Sequence, residues 1–483
     1  EKEERRPFFL ITRHSPLVTK DSMVSTTDTE DFRRRPPAPL PERALNLPRP
    51  EEEALPNGLR VVVVEQPRLP LVSFRLAFRS GDASDPPALP GLTDLMTDML
   101  VEGTESRTSR QIAEEVARYG ATLTAGASSD YLTVAASSLA AYADRVLELL
   151  ADVTLRPTFP ESELALAKSN AQQNLIAQRA QPSFLASEAV ARVLFGQHPY
   201  AVVASTPESI EALARDALVA HHRALLVPNN AVLLVVGDVR REEVLGQAGR
   251  LFGGWRPGEV AEPQFPAPPA RTERVAYVVD RPGSAQTNLL VANLSITRTD
   301  PDYFPVLVMH TILGGNASAR LFMNLREEKG YTYGAYTQFD ARRHAGSFRA
   351  TTEVRGEVTG LSLKEIFYEL ERVRSEDVSD KELTDAKAYL TGIFPIRLET
   401  QEGLVEQLAQ IRMHGLPDDY LETYRENIKR VTKDDVRRAA QLYVTPERAA
   451  VVAVGDGSQI RGQIAPYASR VVDFVGAKGA AGA

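Results

Sequence analysis

The chain has 483 residues, 43% of them hydrophobic and 25% charged, the balance of a globular protein too long for one ordinary core, so two or more domains are expected. Its net charge of −8 excludes a general nucleic-acid binder, and no apolar run approaches the roughly 18 residues that a membrane span requires. There is no cysteine, which excludes disulfides and thiolate metal sites, and the opening EKEERRPFFLITRH holds too short an apolar stretch for a signal peptide.

Residues 1–50 are polar, charged and proline-rich, and read as an extended or disordered arm because they cannot bury enough apolar surface to fix one conformation. Asn57-Gly58 predicts a tight turn ahead of the β-branched run Val61 to Val64, and Leu71 to Phe78 predicts a second strand. In Pro90 to Thr104, PGLTDLMTDMLVEGT, the residues Leu92, Leu95, Met96, Met99 and Leu100 recur at helical spacing, with Gly103 as the C-terminal cap. Asp94, Thr97 and Asp98 share the other side of this helix. Another helix is expected over Ser109 to Tyr119, then two strands in Gly120 to Ala136 joined through Ser128 and Ser129. Helices over Ala140 to Leu155, Glu161 to Ala180 and Ala217 to Leu225 and a strand over Ala231 to Val236 complete the first half.

Pro257, Pro263, Pro266, Pro268 and Pro269 mark a linker over 257–272. Beyond it the chain repeats itself. Glu161 to Lys168 matches Asp380 to Lys387, and Pro228 to Asp238 matches Pro446 to Asp456, both about 220 residues apart. The expected fold is α+β, with two duplicated domains, each a mostly antiparallel sheet covered by helices. The boundaries run 1–50 for the arm, 51–256 and 273–475 for the two domains around the linker, and 476–483 for a flexible Gly/Ala-rich tail. In Ile312 to Phe339, Ser318 to Glu328 predicts a helix, Gly330 its cap, and Tyr331 onward a strand.

Read as residues alone, these segments carry little chemistry. The histidines are His14, His198, His221, His222, His310, His344 and His414, and no two stand one helical turn apart. Asp94 and Asp98 offer too few oxygens for Mg²⁺ or Ca²⁺, and acids near a helix N-terminus are accounted for by the macrodipole. Arg326 would pair with a neighbouring Glu, and Tyr333 would pack on its sheet.

The segments also resemble a known family. The frame of Pro90 to Thr104 is similar to the G-L-x-H-F-L-E-H-M-L-x-x-G-T helix of the pitrilysin, insulinase and mitochondrial processing peptidase family of zinc peptidases. Asp94, Thr97 and Asp98 stand where that family has His, Glu and His, and Asn174 stands at its third ligand, a Glu. Thr124 replaces an Asn common on the family's edge strand. Ile312 to Phe339 resembles the segment G-G-x-x-S-R-L-F-x-x-L-R-E-x-x-G-x-x-Y, which carries the Arg and Tyr that reach substrate in the family; by position these are Arg326 and Tyr333.

The resemblance implies the non-zinc subunit of a bacterial heterodimeric peptidase, with no cofactor in this chain and zinc in a homologous partner; the compartment, bacterial cytoplasm or periplasm, stays open. Arg326 and Tyr333 would act in trans on a peptide held by strand addition, with no role for nucleic acid. The rival reading is a catalytically inert structural protein resembling the respiratory core proteins. A further one is a chain that binds peptides without cutting them.

Overall fold

The computed structural model describes residues 45–474; most of the expected arm and all of the expected tail lie outside them. Two six-stranded sheets organise the described chain, with strand orders β1-β2-β6-β3-β5-β4 and β12-β7-β11-β8-β10-β9. The first comprises β1 (Glu51–Ala54), β2 (Arg60–Glu65), β3 (Leu71–Phe78), β4 (Thr122–Ala127), β5 (Leu132–Leu139) and β6 (Ala231–Gly237). The second comprises β7 (Val275–Asp280), β8 (Gln286–Ser295), β9 (Thr332–Ala341), β10 (Gly346–Arg355), β11 (Ala450–Gly455) and β12 (Arg470–Asp473).

Five consecutive strands follow one pattern in both sheets. β2 beside β6 is parallel, as is β7 beside β11, and the next three neighbours are antiparallel in each sheet. The sixth strand differs, since β1 adds antiparallel to β2 whereas β12 adds parallel to β7. The result is an α+β chain of two mostly antiparallel sheets, each covered by helices.

The sequence explains the strands' places. β6 is AVLLVVG with every residue buried, which requires cover on both faces of the sheet. One face belongs to the core of Val61, Val63, Phe74, Leu76, Leu233 and Val235, packed under Leu92, Met96, Met99, Leu147 and Leu150. Leu234 is paired with Arg75 and points the other way, since side chains alternate along a strand.

That other face is covered by the helix Gln401–His414, which packs on β3 and β6 although it follows the second sheet's strand β10 in sequence. Arg75 anchors it through Glu402 at 2.5 Å and through Glu406, and the Arg79 guanidinium donates to the Arg412 carbonyl at 3.0 Å. The exchange is mutual. The helix Pro182–Phe195 lays Ala186, Ala189, Val190 and Leu194 on Leu290, Ala292, Val452 and Val454 of the second sheet.

The hairpin tips of the two sheets also meet. The Arg343 amide donates to Asp130 at 2.8 Å, the His344 amide to the Tyr200 hydroxyl at 3.3 Å, and that hydroxyl in turn to Asp130. No helix among the described residues is long and apolar enough to cross a membrane.

Candidate functional site

The helix expected within Pro90 to Thr104 forms over Leu92–Asp98 and tightens into a 3₁₀ turn over Met99–Val101. Its apolar side is buried from Leu92 to Leu100 as the spacing requires. Gly103 is not the expected left-handed cap: at φ +147° it bridges to Thr108, and its carbonyl accepts from the Thr158 amide at 3.0 Å. The N-terminal end is fixed by a residue the sequence did not single out. Asp85 accepts from the Gly91 amide at 2.8 Å, the Thr93 amide at 2.9 Å and the Thr93 hydroxyl at 2.5 Å, with His221 2.8 Å behind that hydroxyl. Orphan amides at the helix start are thereby satisfied. Gly91, at φ +91°, lets the start press so closely on Ser205 that a Cβ there would lie 1.8 Å from the Ser205 Oγ.

Asp94, Thr97 and Asp98 face away from this core into a cavity of about 680 Å³. Asn174, from the helix Glu161–Arg179, lines the same cavity, and so does Thr124 from the edge strand β4. The four positions read from the sequence as a degenerate metal motif, three on one helix and one much further along the chain, thus line one cavity.

The cavity is acidic, with Glu102 and Glu163 beside Asp94 and Asp98. Burial pushes the Asp94 carboxyl up to about 7, and the nearby Asp82, Asp85 and Asp98 add to the rise. Burial likewise raises Asp98, with Glu102 contributing, and holds Asp85 at about 6 against the hydrogen bonds it accepts. Asp94 is nonetheless open to the cavity's solvent. Protein on several sides and like charges nearby, rather than enclosure, oppose its ionisation. The macrodipole accounts for Asp94 in the first turn but not for Asp98 at the helix's far end.

These side chains do not suit zinc. The metal asks for four nitrogen, sulfur or carboxylate donors in a tetrahedral set, commonly imidazoles in this class of site. Here the donors are two carboxylates and an amide, and the Thr97 hydroxyl is turned back to the Asp94 carbonyl at 2.8 Å. The nearest ring behind the helix, His221, is committed to Thr93. Among the described residues no three His, Cys, Asp or Glu side chains gather into a metal-holding group.

Arg326 and Tyr333 do not line this cavity; Tyr333 is on the edge strand β9 of the second sheet and Arg326 on the helical turn just before it. The helix expected over Ser318 to Glu328 is α-helical only over Arg320–Phe322 and continues as a π-helix over Met323–Glu328. Its wider turn shows in the Lys329 amide donating to the Asn324 carbonyl at 3.0 Å, five residues back. Arg326 projects from this turn over the Phe322 ring at 4.9 Å, and its ion pair with Glu327 at 3.6 Å is an exposed one of little strength.

Tyr333 does not pack on its sheet as its residue type alone suggests. It is 91% exposed, on β9 at the edge. Pairing of β9 with β10 steps from Ala335–Thr352 to Thr332–Val354, a bulge that places an extra residue at Tyr333–Gly334. The bulge had one signal in the sequence, an isolated glycine at 334 within a strand pattern. The π-turn had none.

Two sheets of one strand pattern and a helix with the frame of a zinc-peptidase motif together define the class: a zinc-peptidase-like fold. Residues 60–207 match the family described as Insulinase (Peptidase family M16), and residues 212–390 match Peptidase M16 inactive domain. Among solved structures, the peptidase M16 inactive domain from Pseudomonas fluorescens is similar at TM-score 0.79 and 30% identity, covering 85% of this chain and 98% of that one. A protease from Helicobacter pylori shares the fold at TM-score 0.79 and 19% identity, covering 84% and 100%.

By sequence the chain is similar to an uncharacterized zinc protease of Streptomyces coelicolor, 24% identical over 392 residues, 80% of this chain and 85% of that protein. It is also 24% identical over 381 residues to the Non-peptidase homolog YmxG of Helicobacter pylori, 78% of this chain and 87% of that protein. The chain belongs to the M16 insulinase family of peptidases.

Proposed function

We propose that this chain is the zinc-less subunit of a heterodimeric metallo-endopeptidase and that it supplies Arg326 and Tyr333 to the zinc site of a homologous partner. The observation that carries this reading is an asymmetry. The metal positions Asp94, Thr97, Asp98 and Asn174 stay together in one cavity yet lack a donor set for zinc, whereas Arg326 and Tyr333 are held outward on irregular backbone. A guanidinium and a phenol are donors suited to fixing a peptide carbonyl and the oxyanion that grows on it. The substrate is an extended peptide that adds to a free sheet edge, where backbone pairing gives affinity with loose sequence preference. The shared strand pattern also supports an internal duplication, with domains at 51–256 and 273–475 about the 257–272 linker.

The test is zinc content and peptide hydrolysis measured for the purified chain, for the partner, and for their mixture. The chain by itself should bind no stoichiometric zinc and cut nothing, and adding it should switch on or raise the partner's turnover. Full activity in the isolated chain would sink the proposal. A mixture no more active than the partner would favour an inert structural protein.

A further inference from the structure

We propose that Thr332 is a positioning residue for Tyr333. The inference rests on the reading that Tyr333 acts on substrate, and it concerns what keeps that exposed side chain in one place.

A residue 91% exposed on an edge strand has no packing to hold it, and a bulge of regular sequence is free to migrate along the ladder. Here the bulge is pinned by hydroxyls. The Thr332 hydroxyl donates to the Glu353 carbonyl at 2.6 Å and accepts from the Gly334 amide at 3.1 Å. The Thr352 hydroxyl, across the ladder, lies 3.1 Å from that of Thr332 and 2.9 Å from the Gly334 carbonyl. Both backbone groups of Gly334, the residue after Tyr333, are therefore tied to threonine side chains, and Tyr333 is bracketed by fixed points. Glycine at 334 also leaves room for the Tyr336 ring, which a Cβ would meet at 2.7 Å and force to shift. The matching edge strand of the first sheet, β4, pairs with β5 in unbroken register, so the device belongs to the half that carries Tyr333.

Valine at 332 keeps the shape of threonine and removes its hydroxyl, which lies 2.9 Å from the Gly334 carbonyl as well, so that the Gly334 amide and the Glu353 carbonyl lose this partner and the Thr352 hydroxyl keeps only the Gly334 carbonyl. In the assembled complex, turning over a quenched fluorescent peptide, Thr332→Val should lower kcat about tenfold and leave KM within about twofold, the mark of a misplaced transition-state donor. Thr332→Ser should restore kcat to within about twofold, and in a Tyr333→Phe background Thr332→Val should cost less than about twofold further, because Thr332 acts through Tyr333. An equal loss in both backgrounds, or no loss in the first, would overturn the inference while leaving the role of Tyr333 intact. If Tyr333→Phe itself changes nothing, the reading of Tyr333 fails instead. Hydrogen exchange of the Gly334 amide in the isolated chain separates the two questions: Thr332→Val should speed it about tenfold without lowering Tm, and unchanged exchange contradicts the pinning.

Discussion

Asp94 shows what a carboxylate in this acidic cavity costs the fold. Its carboxyl, ordinarily near 3.8, sits at about 7 because burial and three neighbouring aspartates oppose its charge. A pKa raised on folding contributes stability that is full below the ordinary value and is lost as pH rises through about 7. Since the side chain also meets solvent in the cavity, the loss at alkaline pH is discounted to about 1 kcal/mol. Asp94→Asn should therefore raise Tm at pH 8 and leave it nearly unchanged at pH 4; parallel pH profiles would contradict this.

The positions themselves allow a constructive test. Asp94→His, Thr97→Glu, Asp98→His and Asn174→Glu made together would place a two-imidazole, one-carboxylate set with a base on a helix already aligned for it. We expect about one equivalent of bound zinc by metal analysis, in line with such sites' ligand requirements. A chain that folds and takes up none would show that the four positions do not correspond to the motif. That Asp94, Thr97 and Asp98 share a cavity was legible because they stand at helical spacing on the face opposite the apolar stripe. Asp85 and Glu102 were not, because a carboxylate's part in a helix cap or an acidic wall depends on neighbours that only the fold brings near.

At the scale of elements, periodicity found the central strands of the first half and its helices up to Glu161–Arg179 and again at Arg215–Leu225, but not the strand Glu51–Ala54 or the helices Pro182–Phe195 and Arg241–Phe252. It passed over Gln401–His414 as well, and with these helices the exchange between the sheets; even a recognised apolar stripe does not say which sheet it covers. It also gave a plain helix where the chain widens into a π-turn, and a capping glycine where Gly103 lies in a bridge. The exchange has a measurable consequence. Arg75 on β3 holds Gln401–His414 on a sheet from the other half of the chain through Glu402 and Glu406, and Arg75→Leu should cost about 1–3 kcal/mol. In denaturant unfolding followed by hydrogen exchange, amides of β3 and β6 should lose protection with that helix. Loss confined to β7–β12 would show that the helix is not part of the first sheet's core.

At the scale of the molecule, the two sheets are joined by exchanged helices and by hairpin tips tied through Asp130, Tyr200 and Arg343, and only secondarily by the segment between them. That segment, 257–272, has no regular structure. Limited proteolysis between Glu259 and Pro269 should leave two fragments that still co-elute on gel filtration. Their separation would contradict the exchange.

The same construction sets Tyr333 on the edge of one sheet with Arg326 on the π-turn before it, and Asp94, Thr97, Asp98 and Asn174 around a cavity of the other half; we propose that the first pair faces substrate while the second group holds no zinc. The measurement that tests this most directly is kcat for an unstructured peptide in the complex with a zinc-bearing partner, comparing the unaltered chain with Tyr333→Phe and Arg326→Ala. Each substitution should lower kcat by about 10²-fold, the loss expected for one preorganised oxyanion donor, while the complex still assembles. Unchanged turnover in both assembled variants would contradict the account.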